Sequence, residues 1–123
     1  MLRYDVVVNE AKTAIPEFKE KYDSLIKENI LDEDDGVHIV FGYAFVPVLL
    51  DAIQKKNEAL IKRMFDFLEL MVKSPDKECG AVCDFSVLEA INGEVPDEVL
   101  YSYMGPETRL DFEYMKDVVG YLA

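Results

Sequence analysis

Tryptophan is absent from the sequence, histidine occurs once, and cysteine occurs twice. One histidine excludes the paired-histidine zinc patterns, HExxH among them, and two cysteines fall short of a four-ligand structural zinc site. The six glycines and five prolines are scattered along the chain. The sequence therefore has no glycine-rich phosphate loop, no flexible linker and no low-complexity tract, and neither a nucleophile elbow nor a fixed-period repeat is present. The opening MLRYDVVVNEAK has no apolar h-region or small-residue cleavage site, and Asp5 and Glu10 come early for a transit peptide, so a cytoplasmic chain is expected. Cys79 and Cys83 stand four apart. On a helix that spacing holds the Cα atoms about 6 Å apart without the side-chain directions a disulfide prefers, which predicts two free, semi-buried thiols.

What the sequence does have is apolar residues: half of its 123 positions, enough for one core in a single domain covering residues 1–123. The longest uncharged run, VHIVFGYAFVPVLL after Gly36, is fourteen residues long. That is short of the about 20 a membrane span requires, and Gly42 and Pro47 interrupt it. Its first half has strand-forming residues, but Val46, Leu49, Leu50 and Ile53 follow i, i+3, i+4, i+7, which predicts a helix with a kink between Gly42 and Pro47. A helix apolar nearly all round is one that other helices surround. His38 is expected to be an ordinary residue at its start, beside an acidic loop.

The other segments also read as helical. Tyr4, Val7, Val8 and Ala11 share one face, and Pro16 suits the first turn of a second helix with Phe18, Tyr22, Leu25 and Ile26 inward. From Asn57, an expected N-cap, NEALIKRMFDFLELMVKS turns Leu60, Ile61, Met64, Leu68, Met71 and Val72 inward and leaves Lys62, Asp66, Glu69 and Lys73 as a solvated stripe. After Ser74-Pro75, the residues Val82, Phe85, Leu88 and Ile91 predict a further helix closed by Asn92-Gly93, and a short helix follows Pro96. Gly105 is expected to end that helix in a left-handed conformation, with Pro106 opening the last helix and Leu110, Tyr114, Val118 and Tyr121 or Leu122 on its inner face. The expected fold is all-α, about seven helices in a single-domain bundle or a short HEAT-like stack of antiparallel helical hairpins.

Asp32, Glu33, Asp34 and Asp35 invite a calcium reading, which fails on spacing: counted from Asp32, Gly36 takes the fifth position and Tyr43 the twelfth, where carboxylates are required. No metal or other cofactor is expected. Charge is lopsided instead. Residues 76–123 hold eleven acids against Lys77, Arg109 and Lys116, a net of −8 out of −12 for the whole chain. Such a field repels nucleic acid and anionic membranes and speeds encounter with a basic protein.

The order FGYAFVPVLLDAI, NEALIKRMFDFLELMVKS, VCDFSVLEAI and YMGPET resembles small helical bacterial proteins found among immunity-like components of polymorphic toxin and contact-dependent inhibition systems. The resemblance spans residues 36–116 and is strongest in FSVLEAI with GPET. Ser86 and Glu89 interrupt an apolar face there, and Glu89 is expected to reach the backbone N–H groups near Thr108. The resemblance implies an immunity-type protein that neutralises a cognate basic toxin domain, such as a nuclease, by covering its active or nucleic-acid-binding surface. The expected contact residues are Asp32, Glu33, Asp34 and Asp35, with Asp97, Glu98, Tyr101, Tyr103, Glu107, Asp111, Glu113, Tyr114 and Asp117 from the acidic third. The alternative is a helical adaptor that self-associates as a weak homodimer through its tyrosines, with no toxin partner. Catalysis is not expected, since Glu89, Ser86 and the cysteines are the only candidate groups.

Overall fold

The structure, a computed structural model, describes residues 2–117. These residues contain seven helices: α1 (Val7–Ala14), α2 (Pro16–Lys27), α3 (Val37–Gln54), α4 (Glu58–Lys73), α5 (residues 77–91), α6 (Asp97–Tyr103) and α7 (Pro106–Asp117). No strand occurs among the described residues; the one β-type contact is an isolated bridge between Asn92 and Val95. The fold is all-α, as the helical periodicities require. α4 is the hub, touching α1, α3, α5, α6 and α7, and α3 lies against α1, α2, α4 and α5. Phe18, Phe41 and Phe45 meet between α2 and α3 with ring centroids 5.0–5.7 Å apart.

The helix boundaries have local causes. Pro16 opens α2, where a missing N–H costs nothing. Asn57 caps α4 by accepting from the Leu60 N–H, and Asp76 caps α5 by accepting from Glu78. Asp76 also takes the Tyr4 N–H at 2.8 Å, while the Ser74 hydroxyl donates to the Leu2 carbonyl, so this corner fastens the N-terminal segment. Tyr4 itself lies in a turn ahead of α1. Gly93, at φ +85°, closes α5 in the left-handed region that glycine tolerates.

α3 runs through Gly42 and Pro47 as a single helix, with a π turn at Phe41–Phe45 in place of the expected kink. The Val46 N–H reaches back five residues to the Phe41 carbonyl. Proline cannot donate and its ring crowds the carbonyl four residues earlier, so a widened turn just before Pro47 absorbs both problems. By length and hydropathy α3 could cross a membrane, but it is built into the helical core through Val40, Phe41, Ala44, Phe45, Val46, Leu49 and Ala52. It is not surrounded on every side, because Ile39, Gly42 and Tyr43 remain exposed.

α5 contains a longer π segment, Val82–Leu88. Its buried residues are Val82 with Cys83 and Val87 with Leu88, a repeat of five instead of the three-residue spacing read from the sequence. The wider turn swings Phe85 outward. On α7 the inner face is Thr108, Phe112 and Met115, while Leu110 and Tyr114 point outward. Val118, Tyr121 and Leu122 lie outside the described residues. Gly105 is not left-handed: Met104 ends α6 in an extended conformation, and among the described glycines Gly93 alone has positive φ.

Candidate functional site

The two π turns pack against each other. His38, one residue into α3, and Ser86, within the π segment of α5, thereby come together with Nδ1 and Oγ 2.6 Å apart. With Ile39, Gly42, Tyr43 and Phe85 they line an open cleft of about 400 Å³. Ile39, Tyr43 and Phe85 are 46, 57 and 47 % exposed, so the walls are apolar side chains facing solvent. In either imidazole tautomer the pair satisfies one donor and one acceptor internally, and keeps one donor and at least one acceptor for an incoming group. π turns inside α-helices are frequent at functional sites. The sequence signals were present: the sole histidine, a serine on an apolar face, and a glycine inside a helix. Only packing joins positions 38 and 86.

The acidic residues separate into engaged and outward-facing groups. Asp97 is ion-paired with Lys116, and Glu113 with Arg109 at 3.0 Å. Tyr101 stacks edge-on against Phe112 under the Arg109 guanidinium, which lies 4.5 Å from its ring. Tyr103 stacks on Phe65 and donates to Glu58 at 3.1 Å. Asp111 is hydrogen-bonded to Asp84. Glu98, Glu107, Tyr114 and Asp117 face outward. In the loop, Asp35 accepts from the Asp32 N–H and Asp32 from the Asp34 N–H, so the backbone curls while Asp32, Glu33 and Asp34 stay exposed. Burial and the carboxylates of this loop push the nearby Tyr22 hydroxyl up, and Lys12 sits 3.6 Å above the Tyr22 ring.

Two carboxylates have structural roles that the sequence did not reveal. Glu69, read as part of a solvated stripe, accepts from the N–H groups of Glu107 and Thr108 at 3.0 and 2.9 Å, and from the Thr108 hydroxyl at 2.8 Å. Burial alone would raise this carboxyl; the donated hydrogen bonds and Lys73 outweigh it and hold Glu69 below the usual glutamate range. Glu89, expected in that role, is exposed on α5. Asp84 is pushed up to about 8 by burial, by its hydrogen bond to Asp111 and by that residue's charge. It is therefore protonated at neutral pH and donates to Asp111, while its Oδ1 is buried without a partner. The Cys79 and Cys83 thiols are free and buried, and burial pushes both upward. Among the described residues, no cluster of three His, Cys, Asp or Glu side chains is placed to hold a metal.

Residues 8–120 match a family described as a domain of unknown function (DUF7674). The chain belongs to that family. The match takes in α2 to α7 whole, including the His38–Ser86 cleft and the Glu69 cap. No curated protein and no solved structure matches the chain. The family description specifies neither partner nor activity.

Proposed function

We propose that this DUF7674 protein is an immunity-type binding protein of the cytoplasm. It captures a basic protein domain, a toxin nuclease being the leading class, and covers its active or nucleic-acid-binding surface without catalysis of its own. The observation that carries this reading is the outer face of α7. Leu110 and Tyr114, one turn apart, are 58 and 57 % exposed and share α7 with the exposed Glu107 and Asp117. An apolar anchor within an acidic rim is the pattern that binds a basic surface: the acids steer encounter and the desolvated aromatic contributes affinity. The four carboxylates at 32–35 add to the negative charge of the chain. A non-catalytic role fits Ser86, which lies within a hydrogen-bonded helical turn that builds no pair of backbone donors for an oxyanion.

The test is surface plasmon resonance against a basic toxin domain encoded beside the gene, at low and high salt. Asp97, Asp111 and Glu113 hold other side chains, so the informative reversal is Glu98→Lys, Glu107→Lys and Asp117→Lys together. That variant should associate more slowly and with a weaker salt dependence. Glu10→Lys, Glu20→Lys and Asp66→Lys alter net charge equally and should leave association nearer to the parent rate. Identical behaviour of the two triple variants would reduce the acidity to a solubility feature and remove the proposal.

A further inference from the structure

Neither a positive φ nor crowding requires a glycine at position 42. It lies in the π turn of α3 with a backbone φ that any residue adopts, and a β-carbon added there would meet nothing within 4 Å. A glycine inside a helix is less favourable than an alanine, so the fold on its own would favour a larger residue. What Gly42 does is line the cleft between the two π turns, beside His38 and Ser86 and between the exposed Ile39, Tyr43 and Phe85 side chains. A side chain at 42 would grow into that cleft.

We infer that the cleft is a receptor for one aromatic side chain with a polar edge, a tyrosine or tryptophan, projected from the basic surface of a protein partner. The apolar walls take the ring, and the His38–Ser86 pair takes its hydroxyl or indole N–H, having at least one acceptor to spare in either tautomer. The volume of about 400 Å³ suits a single ring better than an extended ligand. Charge around the cleft fits a basic source. The acidic loop ends at Asp35, three residues before His38, and exposed Glu89 follows Ser86 by three positions on α5. Lysines or arginines flanking the aromatic residue are the complement of these carboxylates. This inference rests on the basic-partner reading above, and adds a second anchor point away from α7.

The experiment is a titration of the ¹⁵N-labelled chain followed by ¹H–¹⁵N correlation spectra. The probes are a blocked pentapeptide of tyrosine between pairs of lysines, its alanine counterpart, and N-acetyltyrosinamide. The tyrosine peptide should shift the amides of His38, Gly42 and Ser86 and bind about tenfold more tightly than the alanine peptide, which should shift only residues 32–35. Gly42→Leu, which places a side chain in the cleft with no steric clash at its β-carbon, should erase the tenfold difference and leave the alanine peptide's shifts intact. Ser86→Ala should cut the tyrosine advantage by about fivefold. Equal affinity of the two peptides, or a tyrosine advantage that survives Gly42→Leu, overturns the cleft inference and leaves the basic-partner reading standing. Absence of shifts with either peptide overturns both. N-acetyltyrosinamide binding as tightly as the peptide overturns the basic source.

Discussion

A β-carbon built on Gly105 falls 2.5 Å from the carboxyl carbon of Glu69. The glycine is therefore the space that lets a carboxylate from α4 lie against the first turn of α7, where it accepts from Glu107, Thr108 and the Thr108 hydroxyl. Two residues 36 positions apart in sequence form one capping device, which satisfies helix-end N–H groups that α7 cannot satisfy itself.

Glu69→Ala should cost about 1–3 kcal/mol in chemical denaturation, because it strands partly buried donors. Glu89→Ala, on an exposed face, should be close to neutral. Gly105→Ala should resemble Glu69→Ala, since its methyl group expels the carboxylate. The folded-state pKa of Glu69 is depressed, so its contribution is complete above the ordinary glutamate range and fades as pH falls through the folded value. The gap between parent and Glu69→Ala should accordingly shrink in acid. Equal melting points for Glu69→Ala and Glu89→Ala would refute the cap.

Asp84 has the opposite sign. Its folded pKa, about 8, lies above the ordinary aspartate value of 3.8, so the folded chain holds a proton that the unfolded chain has released, and stability drains away between those two values as pH rises. Asp84→Asn keeps a donor toward Asp111 without the proton linkage. It should raise stability by about 2 kcal/mol at pH 8 and leave it nearly unchanged at pH 4. Melting curves across that range check this; a constant offset would show that the pair does not share its proton as described.

Cys79 and Cys83 are buried, with thiols pushed upward by burial and by nearby acids. Native protein should react with Ellman's reagent only at the rate of unfolding, and two thiols should appear rapidly in denaturant. Fast labelling of either cysteine under native conditions would contradict the packing of α5.

The three tyrosines expected at the contact, Tyr101, Tyr103 and Tyr114, should separate by role. Tyr101→Ala and Tyr103→Ala remove rings packed on Phe112 and Phe65 and should destabilise the fold by about 1–3 kcal/mol. Tyr114→Ala should leave the melting point within about half a kcal/mol of parent and weaken partner binding by about 2 kcal/mol. Calorimetric melting together with binding on one protein preparation decides it.

Helical periodicity, proline at first turns and the Asn57 cap were all readable from the sequence, because each depends on spacing or on the chemistry of a few adjacent residues. Seven helices, the free cysteines and the inward faces of α2 and α4 followed from those signals alone. Periodicity misled where the turn itself changed width: the π segment at 82–88 sends Phe85 outward and Val87 inward, which a 3.6-residue rule cannot anticipate. It misled again on α7, where Leu110 and Tyr114 continue a four-residue spacing towards Val118 and Leu122, yet Thr108, Phe112 and Met115 are the side that α4 and α5 cover. Charge alone did not separate the acids engaged within the fold, Asp97, Asp111 and Glu113, from those that face outward, Glu98, Glu107 and Asp117. Nor did it place Glu69 against Gly105, or His38 against Ser86. The local pattern of the sequence determined which segments become helices. Tertiary packing decided which residues meet, because hydrogen bonds between distant carboxylates, hydroxyls and backbone ends depend on how the helices stack, and no local periodicity encodes that distance.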